Sequence, residues 1–214
     1  MAIQYNERTI DDFKGKLVGG GARSNLFEVE LPLIAGAAPT GSGRNRNAPN
    51  VGDSRQSTNS KETDVEELMR FMIKATALPS STIAAIPVPF RGRQLQVAGD
   101  RTFDDWSVTV INDTNFSIRA AMERWMNLIN RHEDTTGLVN PGSYQKNATV
   151  YQLGRGSFKA TNVPILRRYK FYGIWPTAID AIPLDYGADN QIQEFNVTFK
   201  VHWWEATGNG GDIE

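Results

Sequence analysis

Three carboxylates stand close together in VAGDRTFDDWSVTV, residues 97–110, beside an arginine and a tryptophan. Paired carboxylates can serve as the acid and base of a hydrolase when their carboxyl groups lie about 5 to 9.5 Å apart. In an extended chain, Asp100 and Asp104 would lie about 13 Å apart at roughly 3.3 Å per residue, and Asp104 and Asp105 would point to opposite faces. The spacing therefore counts against catalysis, although a tight turn would bring the carboxylates together.

Other sites of chemistry have weaker signals. The segment DRTFDD lacks the glycine and the distal glutamate of an EF-hand calcium loop. His132 and His202 are far apart in sequence, and GRG at 154–156 indicates a turn rather than a phosphate-binding loop. We therefore predict no enzyme activity, no metal and no cofactor. In the simplest interpretation, the aspartates cap a turn or pair with Arg101 and neighbouring arginines.

Composition indicates one ordinary globular domain over residues 1–214. Hydrophobic residues make up 40% of the chain and charged residues 22%. The formal net charge is −1, which provides no global basic field for holding nucleic acid. The chain has no cysteine, so disulfides and thiolate sites are excluded. No apolar run is long enough for a membrane helix and the start is polar, so we expect neither a membrane contact nor a secretory signal.

Alternation of apolar and polar residues predicts about seven strands, mostly antiparallel because the connections are short. Prolines at positions 87 and 89 confine the first half of one of them to a sheet edge or a bulge. The predicted strands cover residues 25–34, the second half of 65–79, 86–99, 106–111, 148–154, 165–177 and 191–205.

One helix is predicted at about residues 116–131, within NFSIRAAMERWMNLINRH. Its apolar residues recur on one stripe at Ile118, Met122, Trp125 and Ile129, and the preceding NDTN offers N-cap side chains. Together these elements predict a mainly β fold: an antiparallel β-sandwich or barrel with one flanking α-helix and a long inserted loop.

The two long C-terminal strands carry apolar residues on both faces. Strict alternation places Tyr172 and Ile174 opposite Phe171, and Trp204 opposite Trp203. A strand that is apolar on both faces lies under a second layer or at a subunit interface. The helix supplies such a layer for one strand, and the remaining apolar surface favours burial against other copies of the chain.

Three segments are expected to stay outside the packed core. Residues 1–24 end in a glycine run and form a flexible arm, which is either a loose terminus or an assembly arm. Residues 35–64 have only one aliphatic side chain larger than alanine, so we expect an inserted surface loop. Residues 206–214 are expected to be a flexible tail.

The chain resembles the tail-tube proteins of T-even-like contractile-tailed bacteriophages. The resemblance runs from about residue 25 to 205 and is carried by KATALP (74–79), IPVPF (86–90), VAGDRTFDDWSVTVIND (97–113), GIWPT (173–177) and DNQIQEFNVTF (189–199). It implies a β-sandwich or barrel with a flanking helix, a fold shared with type VI secretion tube proteins. It also implies a structural protein of the virion tail that is assembled in the host cytoplasm.

The resemblance further implies hexameric rings that stack into a hollow tube inside a contractile sheath. Its partners would be further copies of itself, the sheath, baseplate, tail terminator and tape-measure proteins. Double-stranded DNA would pass through the lumen without specific binding, which requires a neutral or acidic lumen. Family members join the first two strands by a short connection, whereas this chain has an insertion at 35–64. The insertion could lie on the outside of the tube, alter the contact with the sheath, or form a larger loop between rings.

If copies of the chain bind one another, we expect the contacts at the predicted turn at 99–105 and at the aromatic residues on both strand faces. The candidate residues for contacts between subunits or rings are Gly99, Asp100, Arg101, Asp104, Asp105, Tyr172 and Trp204. Three alternatives remain: a tube-initiating baseplate protein of the same fold, a carboxylate-dependent hydrolase and a DNA-binding module.

Overall fold

A computed structural model of the chain describes residues 9–17, 21–37, 58–155, 164–187 and 189–208. Antiparallel strands dominate these residues, and the helices are fewer. The helices are α1 (Ile10–Lys16), α2 (Thr58–Met72), α3 (Ser117–Ile129) and α4 (Pro141–Tyr144). The strands are β1 (Phe27–Glu30), β2 (Ile73–Thr76), β3 (Ser81–Phe90), β4 (Arg93–Phe103), β5 (Trp106–Ile111), β6 (Lys146–Leu153), β7 (Ile165–Ile179), β8 (Glu194–Lys200) and β9 (Trp203–Gly208).

Seven strands form one sheet in the order β1-β6-β7-β8-β5-β2, with β9 also paired to β7. The first part of β7 lies between β6 and β9, and its last part pairs with β8. Strand β7 therefore links two halves of the sheet, which enclose the core together with the helices. This arrangement confirms the predicted mainly β antiparallel class.

A bulge at Gly173 bends β7 where it passes between the two halves. Lys146 is opposite Ile174 and Ala148 is opposite Phe171, so β7 contains one residue more than β6 across this step. Gly173 has φ 61°, a left-handed conformation that favours glycine. The extra residue shifts the alternation, and Phe171 and Ile174 are both fully buried. The prediction that placed them on opposite faces was wrong for this reason.

Replacing Gly173 by alanine should destabilise the fold. A Cβ at this position would lie 2.4 Å from Cδ2 of His202, and a non-glycine residue pays about 1–2 kcal/mol for the left-handed backbone. We expect the free energy of unfolding in urea to fall by about 1 to 3 kcal/mol. Gly142→Ala is the matched control, because its nearest neighbour would be 3.5 Å from the new Cβ. Equal losses in the two variants would contradict this account.

Aromatic side chains fill the centre of the core. Trp106 of β5 stacks on Phe171 of β7 with ring centroids 4.8 Å apart. Trp125 of α3 packs against Phe199 of β8, with centroids 6.3 Å apart. Their indole groups are satisfied: Trp106 Nε1 donates to Thr76 Oγ1 at 2.7 Å, and Trp125 Nε1 donates to the Tyr144 carbonyl at 2.8 Å. Both tryptophans are therefore structural, as the helix stripe predicted for Trp125.

Helix α3 confirms the predicted helix and its buried face. It covers Ser117–Ile129, and Ile118, Met122 and Trp125 are buried. The N-cap position is Phe116, which provides no capping side chain, so the prediction that NDTN supplies the N-cap was wrong. Asp113 of that segment instead accepts a hydrogen bond from the Ser117 amide at 2.9 Å from three residues before the cap.

A second long helix, α2, was missed. It begins at Thr58, so the prediction of a loop was wrong for residues 58–64, while residues 38–57 lie outside the described residues. Val65 and Met69 are spaced by one helical turn and are both buried in the core. The strand predicted after this helix is present as β2.

The last predicted strand, 191–205, is divided into β8 and β9 by a break at Val201 and His202. The residues before the break alternate as predicted, and Phe195, Val197 and Phe199 are buried. Unbroken alternation would place Trp203 on the same face as these residues, but it follows the break and is 44% exposed.

The predicted terminal segments are described only in part. Residues 10–16 of the expected N-terminal arm form α1, whereas 1–8 and 18–20 lie outside the described residues. Residues 206–208 of the expected tail belong to β9, and 209–214 lie outside the described residues.

Candidate self-assembly surface

Strands β3 and β4 form a separate two-stranded sheet, joined by a tight turn at Arg91 and Gly92. Both turn residues have positive φ, 44° and 81°, which is the backbone of the type I′ turn that matches strand twist. The single strand predicted at 86–99 was therefore wrong, because this segment folds back on itself. A lone two-stranded hairpin is marginally stable in water, so this hairpin needs a covering partner.

One face of the hairpin is mostly apolar, with Arg93, opposite Phe90, as the charged residue next to the turn. Residues opposite one another in an antiparallel pair share a face, and the register pairs Ile86 with Val97 and Val88 with Leu95. The alternate pairs, Pro87 with Gln96 and Pro89 with Gln94, lie on the other face. We call the first set the apolar hairpin face: Ile86, Val88, Phe90, Leu95 and Val97, which are 43% to 67% exposed.

The free edge of β3 is poorly suited to adding another strand. Proline has no backbone N–H, and Pro87 and Pro89 lie on this edge strand as their positions predicted. Prolines at an edge block further pairing and so protect against open-ended strand addition. The outer edge of β4 has no such protection, because β4 contains no proline and, among the described residues, pairs only with β3 in this two-stranded sheet.

The structure places the first three candidate residues in the hairpin rather than in a turn. Gly99, Asp100 and Arg101 belong to β4, and Arg101 is opposite Ile83. The predicted turn at 99–105 is therefore wrong for residues 99–103, because β4 continues to Phe103. Asp100 and Arg101 are exposed near the base of the hairpin.

Asp104 and Asp105 form the connection to β5 and have local partners. Asp104 accepts a hydrogen bond from the Ser80 hydroxyl, and its amide donates to the Ser80 carbonyl at 3.1 Å. Asp105 pairs with Lys200 at 2.7 Å. These contacts give both aspartates a structural role in the turn, with a serine and a lysine as partners instead of the expected arginines.

The arrangement gives little support to a hydrolytic site. Because β4 is extended up to Phe103, Asp100 and Asp104 are separated as an extended strand requires. Among the residues that the structure describes, no group of three or more His, Cys, Asp or Glu side chains is placed to hold a metal ion.

Tyr172 and Trp204, the aromatic candidates, hold β9 against its neighbours. Tyr172 stacks on Trp203 with ring centroids 3.8 Å apart, and its hydroxyl donates to Glu205. Trp204 is half-buried, with its ring 6.2 Å from that of Phe103 at the end of β4. Trp204 therefore lies beside the end of β4, where the hairpin joins the larger sheet. That Tyr172 or Trp204 contacts another subunit stays a prediction.

A second notable surface is the solvent face of β5 and β8, which consists of small neutral side chains. We call it the hydroxyl face and define it by Ser107, Thr109, Asn196 and Thr198. Thr109 Oγ1 donates to Asn196 Oδ1 at 2.7 Å. The charges at its margins are paired, because Lys74 bonds Glu194 at 2.6 Å and Lys200 bonds Asp105 at 2.7 Å. The face therefore presents no cluster of free cations among the described residues.

A third surface is a groove of about 720 Å³ between α2 and the β1–β6 pair, which we call the acidic groove. Its apolar walls are Phe27, Leu31, Pro32, Phe71 and Leu153, and its charged residues are Glu28, Glu30, Glu66, Glu67 and Arg70. Beside it, Tyr151 donates to Glu30 Oε2 at 2.9 Å. Burial, and then the hydrogen bond and charge of Glu30, raise the pKa of Tyr151, so this phenol stays protonated.

Residues 22–207 match the family model described as phage tail tube protein. The chain belongs to this family. It is 39% identical over 188 residues to the tail tube protein gp19 of Enterobacteria phage T4, an alignment that covers 87% of this chain and 93% of the relative. The resemblance found in the sequence is confirmed, and the chain is a structural component of a phage tail.

Solved structures show the same fold at low identity. The tail tube protein is similar to a chain of the anti-feeding prophage tube-terminating cap, with a TM-score of 0.52 and 12% identity over 97% of this chain and 95% of that one. It is also similar to a chain of the PVC sheath–tube complex of an extracellular contractile injection system, with a TM-score of 0.51 and 11% identity over 91% and 97%. Within the described ranges, every helix of the tail tube protein is too short or too polar to span a bilayer.

Proposed function

We propose that copies of this protein close into hexameric rings, and that the rings stack into a hollow tube inside a contractile sheath. The observation that carries the proposal is the apolar hairpin face, five large apolar side chains on a two-stranded sheet with its other face also exposed. Monomeric proteins rarely expose a contiguous apolar surface of this kind without a binding role. Membership in the tail tube family makes a further copy of the chain its natural partner.

The hairpin suits a contact that repeats from copy to copy. In a ring of six the hairpin has to contact a different patch on the next copy, because a contact of the same patch on both copies would stop at a dimer. Such a head-to-tail contact gives a ring when its rotation closes, and a second contact of this type that does not close gives a helical stack. The number six comes from the family resemblance.

The hydroxyl face is the proposed wall of the channel. A channel that conducts DNA has to avoid Lys and Arg that neutralise phosphates, since each such contact adds salt-dependent affinity. Ser107, Thr109, Asn196 and Thr198 present hydroxyl and amide groups, and the neighbouring Asp180 accepts from Asn196 at 3.0 Å. A neutral to slightly acidic wall would let double-stranded DNA pass without being held.

The remaining partners follow from the same proposal. The outer surface would contact the sheath, the tube ends would contact baseplate and terminator proteins, and the tape-measure protein would be a further partner. No catalytic role is proposed, because Asp104 and Asp105 are engaged in structural contacts. A tube-initiating baseplate protein remains the second candidate, since a subunit with this fold could also form a single terminal ring.

Electron microscopy of the purified protein tests the proposal. We expect long hollow tubes, together with a large fast-sedimenting species in analytical ultracentrifugation. Isolated rings that do not elongate would favour the baseplate role. A protein that stays monomeric at high concentration would refute both candidates.

A further inference from the structure

Helix α1 is a separate amphipathic element that precedes the part of the chain matching the family model, residues 22–207. Thr9 caps it: the Thr9 hydroxyl accepts from the Asp12 amide at 3.3 Å, and the Asp12 carboxylate accepts from the Thr9 amide at 3.2 Å. This reciprocal capping box stabilises one helical turn even though the residues of α1 are exposed.

The side chains of α1 are sorted by chemistry around its axis. Ile10, Phe13 and Leu17 recur at i, i+3 and i+7, which places them on one stripe, and they are 70%, 64% and 46% exposed. At about 100° per residue, Lys14 and Lys16 lie on the two flanks of this stripe. We call this surface the basic-flanked stripe. Lys14 also pairs with Asp11 at 3.3 Å, but both side chains are strongly exposed, so the pair is weak and easily exchanged.

The acidic groove has the opposite pattern. Its walls are apolar, and Phe71 of α2 is 76% exposed there. Four glutamates line the groove against one arginine, and Arg70 is already engaged by Glu28 at 3.6 Å and Glu30 at 3.1 Å. The groove therefore presents an apolar floor with an excess of negative charge.

We propose that α1 docks in the acidic groove of a neighbouring copy, with Ile10, Phe13 and Leu17 against the groove's apolar walls. The lysines on either side would then face its glutamates. This inference rests on the proposed assembly. The contact it adds requires α1, which lies outside the residues that match the family model. Apolar burial would provide the affinity, and charge complementarity would fix the orientation of the helix.

The chain length permits this exchange. Gln152 donates to the Arg23 and Leu26 carbonyls at 2.7 Å and so fixes the chain just before β1. The arm therefore depends on residues 18–22, and five residues span up to about 17 Å when extended. In the single chain the stripe remains exposed, so α1 does not occupy the groove of its own subunit. An arm that reaches the next subunit links copies without altering the core of either one.

Disulfide cross-linking tests the contact without background, because the chain has no cysteine. Copies carrying Phe13→Cys are mixed with copies carrying Phe71→Cys, assembled, oxidised and run on a non-reducing gel. With equal amounts of the two variants mixed at random, we expect a covalent dimer in up to about half of the assembled material, because half of the arms meet a copy that carries the complementary cysteine. Gly15→Cys is the matched control: it lies on the opposite side of α1, and a Cβ there would meet nothing within 4 Å, so it should yield at least tenfold less dimer with Phe71→Cys.

Each other outcome overturns the inference in a recognisable way. Equal dimer yields from Phe13→Cys and Gly15→Cys would mean that α1 does not bind the groove in one orientation. A dimer formed instead by Phe90→Cys with Phe71→Cys would assign the groove to the hairpin. An internal disulfide in monomers of the Phe13→Cys, Phe71→Cys double variant would assign α1 to its own subunit. Tubes without the cross-link refute only the docking of α1, whereas a wild-type protein that never assembles refutes the proposed function as well.

Discussion

Val97→Lys should strongly weaken tube formation while leaving the subunit folded. Val97 lies at the middle of the apolar hairpin face and is 45% exposed in the single chain, so a lysine meets no crowded core there. In an assembly the same position would be covered, and a buried charge without a partner costs several kcal/mol. We expect the concentration needed for assembly to rise by more than about tenfold, since about 1.4 kcal/mol per contact already gives that factor.

Gln96→Lys is the matched control for this result. Gln96 is the adjacent residue on the same strand, it is exposed, and it lies opposite Pro87 on the other hairpin face. It adds the same charge to the same strand, so tubes should still form. Sedimentation and electron microscopy report assembly, and circular dichroism reports the fold. If Val97→Lys assembles as well as Gln96→Lys, the apolar hairpin face is not the contact that builds the tube.

The prediction of a single strand at 86–99 overlooked a sign of the hairpin turn in the sequence. Its apolar positions are even-numbered before the turn, as in Ile86 and Val88, and odd-numbered after it, as in Leu95 and Val97. A single strand would keep one phase, so this shift was a usable sign of the turn. The turn itself is Arg91–Gly92, which is less diagnostic than Asn-Gly or Asp-Gly, and the prolines directed attention to a bulge.

Other differences had no comparable signal in the sequence. The bulge at Gly173 changes which side chains of β7 are buried, but glycine in a strand marks bulges, bends and close backbone approaches alike. The start of α2 lies in a polar segment that composition assigns to a loop, whereas its buried residues, Val65 and Met69, come later. Tertiary packing therefore decides the outcome at Gly173, whereas in α2 the Glu, Leu and Met residues at 66–69 do favour helix and only its polar start carries no signal.

The predictions that were confirmed rest on a single hydrophobic pattern that runs through a whole helix or strand. Helix α3 has a continuous apolar stripe, and β5 and β8 alternate strictly, so burial alone fixes their orientation. The same alternation places Ser107 and Thr198 on the solvent side of the sheet. The alternation that buries the apolar side chains of β5 and β8 therefore also places their polar side chains on the proposed channel wall, because successive residues of a strand point to opposite faces.

Ser107→Lys should convert the channel into one that retains DNA. Ser107 is exposed on the hydroxyl face, opposite Thr198, so the substitution leaves the core intact. In a hexameric ring it would place six new cations around the lumen, repeated at every ring. Each phosphate neutralised contributes a slope of about −0.9 to the dependence of log affinity on log salt. A few simultaneous contacts would therefore bind a short duplex at low salt and release it at high salt.

Co-sedimentation of a short labelled duplex with preformed tubes measures this effect. Wild-type tubes should leave the duplex in the supernatant, whereas Ser107→Lys tubes should carry it into the pellet at low salt and lose it as salt is raised. Val139→Lys provides the control, because Val139 is 92% exposed in the connection between α3 and α4, away from the hydroxyl face, and adds the same charge. Retention by wild-type tubes, or equal retention by the two lysine variants, would mean that the hydroxyl face does not line the path of the DNA.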